Sequence, residues 1–284
     1  MSSIQWLDRP VLDNPLALIA FEGWGDAGDS ASLAAERFLN SADHDLIASF
    51  DPDEHFDFQV RRPMVFVDET GTRQIDWPEN RIHVVRNRER DLVVVLGEEP
   101  NYKWKAFTND VVDALLALGV SRVVTLGAFI GQVPHTLPVP LVGSSNRPDS
   151  LAGHGLLPSG YQGPTGILGV LNQALGNAGI EVISVWAAVP HYLSNQDYPP
   201  AVEALTIKAS ELLGLTVDIG DLTSKSRQFR DTVDEALEAN SELLEYVEQL
   251  ESEAAEEDDG EVDEVEEVEA ERLVEEIEDF LKDR

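Results

Sequence analysis

Two histidines stand where acid/base chemistry could occur. His135 lies in segment 127–136 and His191 in segment 189–195, and each segment follows a run of branched apolar residues typical of a buried strand. An imidazole at such a position can act as a general base or bind a metal ion when a carboxylate lies beside it. The alternative is structural, because each histidine directly follows a Val-Pro pair or a proline-ended strand and could simply cap a turn. The candidate carboxylates are Asp26, Glu98 and Glu99.

A glycine-rich segment, 22–30, follows the first strong apolar run. Free backbone N–H groups at the start of the next helix could hold an anion there. It is not a Walker loop, because no Gly-Lys-Ser/Thr follows. Gly23 and Gly25 fit the start of the dinucleotide pattern Gly-x-Gly-x-x-Gly, but Asp29 would then face the phosphate. A structural turn in which an Asp or Ser side chain of this segment caps the helix is the alternative.

A third segment, 97–107, places two carboxylates among aromatic residues. Glu98 and Glu99 could form an acid/base pair with one raised pKa. Adjacent residues of an extended loop point apart, however, so an interaction or packing role alongside Trp104 is the alternative.

The motifs of the best-known catalytic classes are missing from the sequence. It contains neither Gly-x-Ser-x-Gly nor His-Glu-x-x-His, and it has no cysteine for thiol chemistry, disulfides or a cysteine zinc site. We therefore predict no metal and no cofactor.

Alternating apolar strands and amphipathic helices must position these segments. The pattern predicts an α/β fold with three layers, α/β/α, a mostly parallel sheet and an added C-terminal helical region. Right-handed crossovers would bring segments 22–30, 97–107, 127–136 and 189–195 to one edge of the sheet, which we call the strand-exit rim. The predicted strands are 16–21, 45–50, 64–67, 81–85, 92–96, 123–126 and 182–188, and the predicted helices are 30–39, 108–118 and 165–178. The candidate residues of the strand-exit rim are Glu22, Gly23, Trp24, Asp26, Asp29, Glu98, Glu99, Trp104, Gly127, Gly131, His135 and His191.

The remainder of the chain is helical and acidic. A core domain is expected over 1–200, and a helical region with helices 201–213 and 227–251 over 201–251. An acidic linker is expected over 252–269 and a terminal helix over 270–284.

Charge limits the classes of partner. The chain has 284 residues and a net charge of −34, and no basic patch is evident in its sequence. Such a field repels nucleic acid and anionic membranes. The N-terminus has no signal-peptide pattern, and no apolar run is long enough to cross a bilayer. We expect a soluble, cytoplasmic protein that binds neither nucleic acid nor membrane.

Four motifs, in order, carry a resemblance to a known family. They are Phe21-Glu22-Gly23-Trp24-Gly25-Asp26-Ala27-Gly28, Gly97-Glu98-Glu99-Pro100, the segment from Gly127 to Thr136, and Gly163-Pro164-Thr165-Gly166-Ile167 with Val189-Pro190-His191-Tyr192. Over residues 10–250 the chain resembles the proteasome assembly chaperone (PAC2-type) family in its actinobacterial form. The resemblance implies a domain similar to nucleoside phosphorylases and homo-oligomers, trimers among them. It supplies no catalytic residues.

Two functions from different classes follow. The first is a non-catalytic, chaperone-like assembly or scaffold protein that binds itself and proteasome α subunits or another protein complex. The alternative is a small-molecule binder or a phosphorylase-like or hydrolase-like enzyme that uses the strand-exit rim. The acidic C-terminal segment could also serve solubility alone.

Overall fold

A computed structural model describes residues 3–87, 90–238 and 241–256. Nine of its strands form one sheet, in the order β1-β3-β6-β7-β2-β8-β11-β9-β10, and β4 and β5 form a separate hairpin. The strands are β1 (Ile4–Trp6), β2 (Leu16–Glu22), β3 (His44–Phe50), β4 (Met64–Val67), β5 (Arg73–Asp76), β6 (Arg81–Val85), β7 (Leu92–Glu98), β8 (Arg122–Gly131), β9 (Leu141–Ser145), β10 (Leu157–Pro158) and β11 (Glu181–Pro190).

The sheet is mixed. Its four central strands, β7, β2, β8 and β11, run parallel to one another. On one side β1, β3 and β6 pair antiparallel with their neighbours, and on the other β9 is antiparallel to β11 and parallel to β10. The predicted α/β architecture is confirmed. Parallel pairing is concentrated in the centre, where helices cover both faces and the strands are mostly apolar.

Seven helices complete the described part of the fold. They are α1 (Ser30–Leu39), α2 (Pro52–His55), α3 (Trp104–Ala117), α4 (Ile167–Asn177), α5 (Pro199–Leu213), α6 (Leu222–Glu238) and α7 (Ser241–Glu256). One apolar cluster contains residues of α1, α5, α6 and α7 against one face of the sheet, and a second contains α3 and α4 against the other face. These two clusters make the three predicted layers.

The predicted helix 227–251 is instead two helices, α6 and α7. Asp234 of α6 contacts His135, and Glu251 of α7 contacts Thr136 in the same loop. In one straight helix those carboxylates would lie about 26 Å apart at 1.5 Å per residue. The chain therefore reverses between α6 and α7. Segment 215–219, between α5 and α6, contains no strand.

Part of the predicted C-terminal organisation falls on residues that are not described. Of the predicted acidic linker 252–269, the first five residues belong to α7, and the rest lies outside the described residues together with the predicted helix 270–284. Among the described residues, no helix combines the length and apolar character needed to cross a membrane.

Candidate functional site

The helix start after β2 is occupied by the chain's own carboxylate. Oδ1 of Asp26 accepts hydrogen bonds from the backbone N–H of Ala31 at 2.6 Å and of Ser32 at 3.3 Å. Burial raises the pKa of Asp26 from 3.8 to about 6, although these bonds oppose the shift. Because Asp26 takes the amide groups that an anion would need, the geometry favours a structural cap for segment 22–30.

Two other carboxylates of the rim share one arginine. Glu22 and Glu98 are neighbours in the parallel pairing of β2 with β7, and Arg61 forms ion pairs with both. Burial, and then the charge of Glu98, raise the pKa of Glu22. The positive charge of Arg61 opposes this increase in the pKa of Glu22. The sequence did not indicate a role for Arg61, because Arg61 lies far from both strands along the chain.

Asp29 lies on the exposed side of the same turn. Its backbone is left-handed, with φ of 46°. Burial and then the negative charge of Asp197 raise its pKa.

Glu99 also caps a helix. Its Oε1 accepts the backbone N–H of Ile167, the first residue of α4, at 2.7 Å. A carboxylate there also interacts favourably with the positive end of the helix dipole. Glu98 and Glu99 thus turn to different partners, as expected for adjacent residues of an extended segment. Trp104 begins α3 and donates its indole N–H to the Pro100 carbonyl.

The centre of the rim is filled by Trp186 of β11, which sequence reasoning missed. A Cβ atom on Gly127 would lie 2.5 Å from its ring, and one on Gly25 would lie 3.0 Å away. The cavity that Trp186 lines with Phe21 and Glu99 measures about 10 Å³. That is room for about one water molecule at most, whereas small-molecule pockets occupy about 300–1,000 Å³.

His135 is fully buried in a network with Tyr192, a residue of the fourth motif, and with Asp234, which the sequence did not indicate. The backbone N–H of His135 donates to the Tyr192 hydroxyl at 2.9 Å, and that hydroxyl lies 2.9 Å from Nδ1 of the same histidine. Nε2 lies 3.1 Å from Oδ1 of Asp234 on α6. With Tyr192 donating to Nδ1, the imidazole proton is on Nε2 and is donated to Asp234. Burial lowers the pKa of His135.

His191 forms a similar contact with α7. Its Nε2 lies 3.1 Å from the hydroxyl of Tyr246, and the two rings pack edge to face at 5.5 Å. Burial lowers the pKa of His191, and the Gly131 backbone opposes the shift. The two rim histidines therefore join the C-terminal helices to the α/β core.

The rim does not assemble the hypothesised acid/base cluster. In the described part of the chain, no hydrogen bond or ion pair joins either His135 or His191 to Asp26, Glu98 or Glu99. Those residues likewise contain no group of three or more His, Asp or Glu side chains placed to hold a metal ion. What the arrangement does instead is cap helices and attach α6 and α7.

Gly23 and Trp24 lie on the exposed side of the rim. Gly23 has φ of 124°, and a Cβ there would lie 3.2 Å from the Cβ of Glu99. Trp24 is 57% exposed, and its ring covers Gly166 at the start of α4. Trp24 is thus an aromatic side chain available to a partner.

Comparison with known proteins identifies the family. The model described as the PAC2 family matches residues 20–237. The chain belongs to the PAC2 family. This match confirms the family predicted from the four sequence motifs. It includes the whole strand-exit rim and nearly all of α6, so the His135–Asp234 contact lies within the PAC2 match, whereas Tyr246 lies beyond it.

Solved structures from three actinobacteria resemble this PAC2 protein. A PAC2 family protein from Streptomyces avermitilis is 40% identical, with a TM-score of 0.75 and coverage of 82% of this chain and 99% of that chain. A proteasome-assembly chaperone homologue from Mycobacterium tuberculosis is 37% identical, with the same TM-score and coverage. A protein of unknown function from Corynebacterium glutamicum is 27% identical, with a TM-score of 0.83 and coverage of 90% and 97%. No curated protein matches the chain.

Proposed function

We propose that this PAC2 protein is a non-catalytic, chaperone-like assembly or scaffold protein that acts as a homo-oligomer, with a trimer as the expected state. One observation carries the proposal: the rim groups that could perform chemistry are used in structural contacts. Asp26 and Glu99 cap helices, and His135 bonds to Tyr192 and Asp234. A catalytic base needs instead to reach a substrate.

The relatives favour a protein partner. The Mycobacterium tuberculosis relative, 37% identical, is described as a proteasome-assembly chaperone homologue. By that likeness, the first candidate partners of this chain are proteasome α subunits, with another protein complex as the alternative. We propose the cytoplasm as the place where they meet.

The β4–β5 hairpin offers a surface for protein contacts. Its strands pair only with each other, and both of its faces carry exposed apolar side chains. A two-stranded hairpin is marginally stable alone in water, and apolar patches of this kind mark interaction sites. We assign this surface to contact between copies. Its exposed members are Met64, Val65, Phe66, Val67, Ile75 and the neighbouring Trp77.

Native mass spectrometry of the untagged protein, isolated gently from its own cells, tests the proposal. We expect a defined oligomer carrying another protein, with proteasome α subunits as the first expectation. Phe66→Ser together with Ile75→Ser should shift the spectrum toward monomer. Leu116→Ser with Ile207→Ser is the matched control, because these residues are similarly exposed on helices. A monomer without any protein partner would contradict the proposal.

The alternative, a small-molecule binder or enzyme, has one favourable feature. A cleft of about 380 Å³ lies beside His135, between α6 and Glu203 of α5. Ser226 is buried there, and its hydroxyl has no partner among the described residues. Melting temperatures measured with nucleosides, inorganic phosphate and divalent metal ions separate the two functions. We expect no shift, whereas a shift abolished by Ser226→Ala would favour the alternative.

A further inference from the structure

Three arginines converge at the end of the sheet opposite the strand-exit rim. Arg122 and Glu181 are paired first residues of β8 and β11. With Arg90 and Arg147 they line a cleft of about 600 Å³, which we call the arginine cleft. The sequence did not indicate this basic site, because the three arginines come from separate loops and strands.

Part of the positive charge is already balanced. Arg122 lies 3.1 Å and Arg147 lies 3.4 Å from the carboxylate of Glu181, which also accepts a bond from the Ser150 hydroxyl at 2.6 Å. Burial alone would raise the pKa of Glu181, but Ser150 and the two arginines hold it below its usual value. Glu181 thus forms ion pairs with two guanidinium groups.

Carbonyl groups near two helix ends accept further hydrogen bonds from these arginines. Arg122 donates to the Leu212 carbonyl and Arg147 to the Gly179 carbonyl, each at 3.4 Å. The Leu212 carbonyl lies in the last turn of α5, where cations are favourable, and Gly179 follows the end of α4 by two residues. These contacts are long, and each uses a single N–H group, so both guanidinium groups keep further donors. Arg147 is the more exposed of the two, whereas Nε of Arg122 is buried.

The third arginine, Arg90, has no ion-pair partner among the described residues. Within the same residues, the Nε atoms of Arg90 and Arg122 are buried without a hydrogen-bond acceptor. In the arginine cleft three guanidinium groups face the carboxylate of Glu181, in a chain whose net charge is −34. Asp149 and Glu211 line an adjoining cleft with Arg90 and Arg122, and Glu211 is paired there with Lys208 and His154. A cluster with more guanidinium groups than carboxylates recognises further carboxylates or phosphates.

We propose that the acidic segment 257–284 of the same molecule binds in the arginine cleft. The segment has 15 acidic and 3 basic residues. Its covalent connection gives it an effective concentration of about millimolar, which favours it over most free anions. The interaction joins the C-terminal segment to the edge of the sheet that the rim does not use.

The chain length permits this contact. Segment 257–284 begins after α7, whose Glu251 contacts Thr136 near the end of β8. The arginine cleft lies at the start of β8, ten residues away, or about 33 Å at the rise of a strand. Twenty-eight residues span up to about 95 Å when extended, so the acidic residues in the second half of the segment reach the cleft.

Distances between two spin labels on the full chain test this proposal. Because the chain has no cysteine, Asn177→Cys beside the cleft and Ala270→Cys in the segment accept labels without a change of charge. Pulsed electron paramagnetic resonance should give a dominant short distance at low salt. Its population should fall at least about threefold when the ionic strength rises from about 0.05 M to 0.5 M, because salt screens exposed charges.

Charge removal provides the matched comparison. Arg90→Gln with Arg147→Gln should reduce the short-distance population at low salt by a similar factor. Arg62→Gln with Arg73→Gln removes the same charge beside the β4–β5 hairpin and should leave it unchanged. The salt series uses the labelled chain without any arginine substitution. If an arginine variant fails to fold, the salt series still tests the proposal.

Four outcomes would overturn the proposal. A broad distance distribution at every ionic strength, or a short distance that survives both salt and Arg90→Gln/Arg147→Gln, excludes ionic binding of the segment. Loss of the short distance on dilution with unlabelled protein assigns the segment to a neighbouring copy. A broad distribution together with a melting temperature raised by inorganic phosphate, and not in the Arg90→Gln/Arg147→Gln variant, assigns the cleft to a small anion.

Discussion

Nε2 of His135 lies 3.1 Å from Oδ1 of Asp234, although 99 positions separate the two residues in the chain. The histidine is fully buried, whereas the aspartate side chain is 56% exposed on α6. The contact therefore joins a core loop to the outer surface of the C-terminal helices. Its strength depends on Tyr192, which fixes the imidazole proton on Nε2.

Tyr192→Phe should weaken this attachment. It leaves the backbone N–H and Nδ1 of the buried His135 without their shared partner, and each unsatisfied buried group costs about 1–3 kcal/mol. We expect a lower free energy of unfolding in urea and faster hydrogen exchange in α6 and α7 than in the sheet. Tyr161→Phe is the control, because its hydroxyl bonds a carbonyl on an exposed loop. Equal effects of the two substitutions would contradict the assignment.

His191 should make the protein less stable in mild acid. Burial lowers its pKa in the folded state, so the unfolded chain binds the proton first as the pH falls below about 6.5. The contribution of His191 to stability is complete above that pH and declines below it. Denaturant unfolding at pH 7.5 and pH 5.5 should show a smaller loss for His191→Gln than for the unaltered chain. An identical loss in both would exclude His191 as a source of the pH dependence.

Asp26 should have the opposite pH dependence. Its pKa is raised to about 6, so the folded protein binds more protons than the unfolded chain between about pH 4 and pH 6. The contribution of Asp26 to stability is complete below pH 4, falls as the pH rises to 6, and amounts to about 3 kcal/mol at 1.36 kcal/mol per pKa unit.

Two substitutions separate the charge of Asp26 from its cap. Asp26→Asn keeps an oxygen for the Ala31 N–H without the buried charge, and it should be more stable than the unaltered chain at pH 7 and about equal at pH 4. Asp26→Ala removes the cap, at a cost of about 0.5–2 kcal/mol, and it should be less stable than Asp26→Asn at both pH values. A difference between Asp26→Asn and the unaltered chain that does not change with pH would be the contrary result.

Gly127→Ala should disturb the filled centre of the rim. The new Cβ would lie 2.5 Å from the ring of Trp186, so the ring must move, at a cost of about 1–3 kcal/mol for overpacking. Trp186→Leu removes the ring, and Gly127→Ala should then cost much less. A double-mutant cycle of unfolding free energies measures this coupling. Additive effects would show that the two residues do not constrain each other.

Much of the fold was predictable because burial leaves a local record. The run from Leu16 to Phe21 is buried throughout, and its boundaries and those of helix 30–39 agree with the sequence pattern. The direction of a strand leaves no comparable pattern in the sequence. Nothing in the composition of 44–50 or 81–85 distinguishes an antiparallel strand from a parallel one, so the mixed sheet was not foreseen.

For the candidate site, the sequence predicted where the rim segments lie but not which contacts their side chains make. Asp26 bonds residues five and six positions ahead, so this contact is local in the chain, although the usual capping pattern reaches only two or three positions ahead. Glu99 and Ile167, or His135 and Asp234, meet only when the whole chain has folded. Ala236, Leu243 and Leu250 are spaced seven residues apart and are all buried, but such periodicity alone does not reveal a chain reversal.

The position of β2 in the sheet has a consequence for synthesis on the ribosome. Its neighbours are β7 and β8, so the earliest core strand to be made has no partner until residue 98 has been added. At about 5–20 residues per second, the 76 residues after Glu22 take about 4–15 s. During that interval an apolar strand is open to aggregation, and nascent chains that end before β7 should depend on general folding helpers to remain soluble.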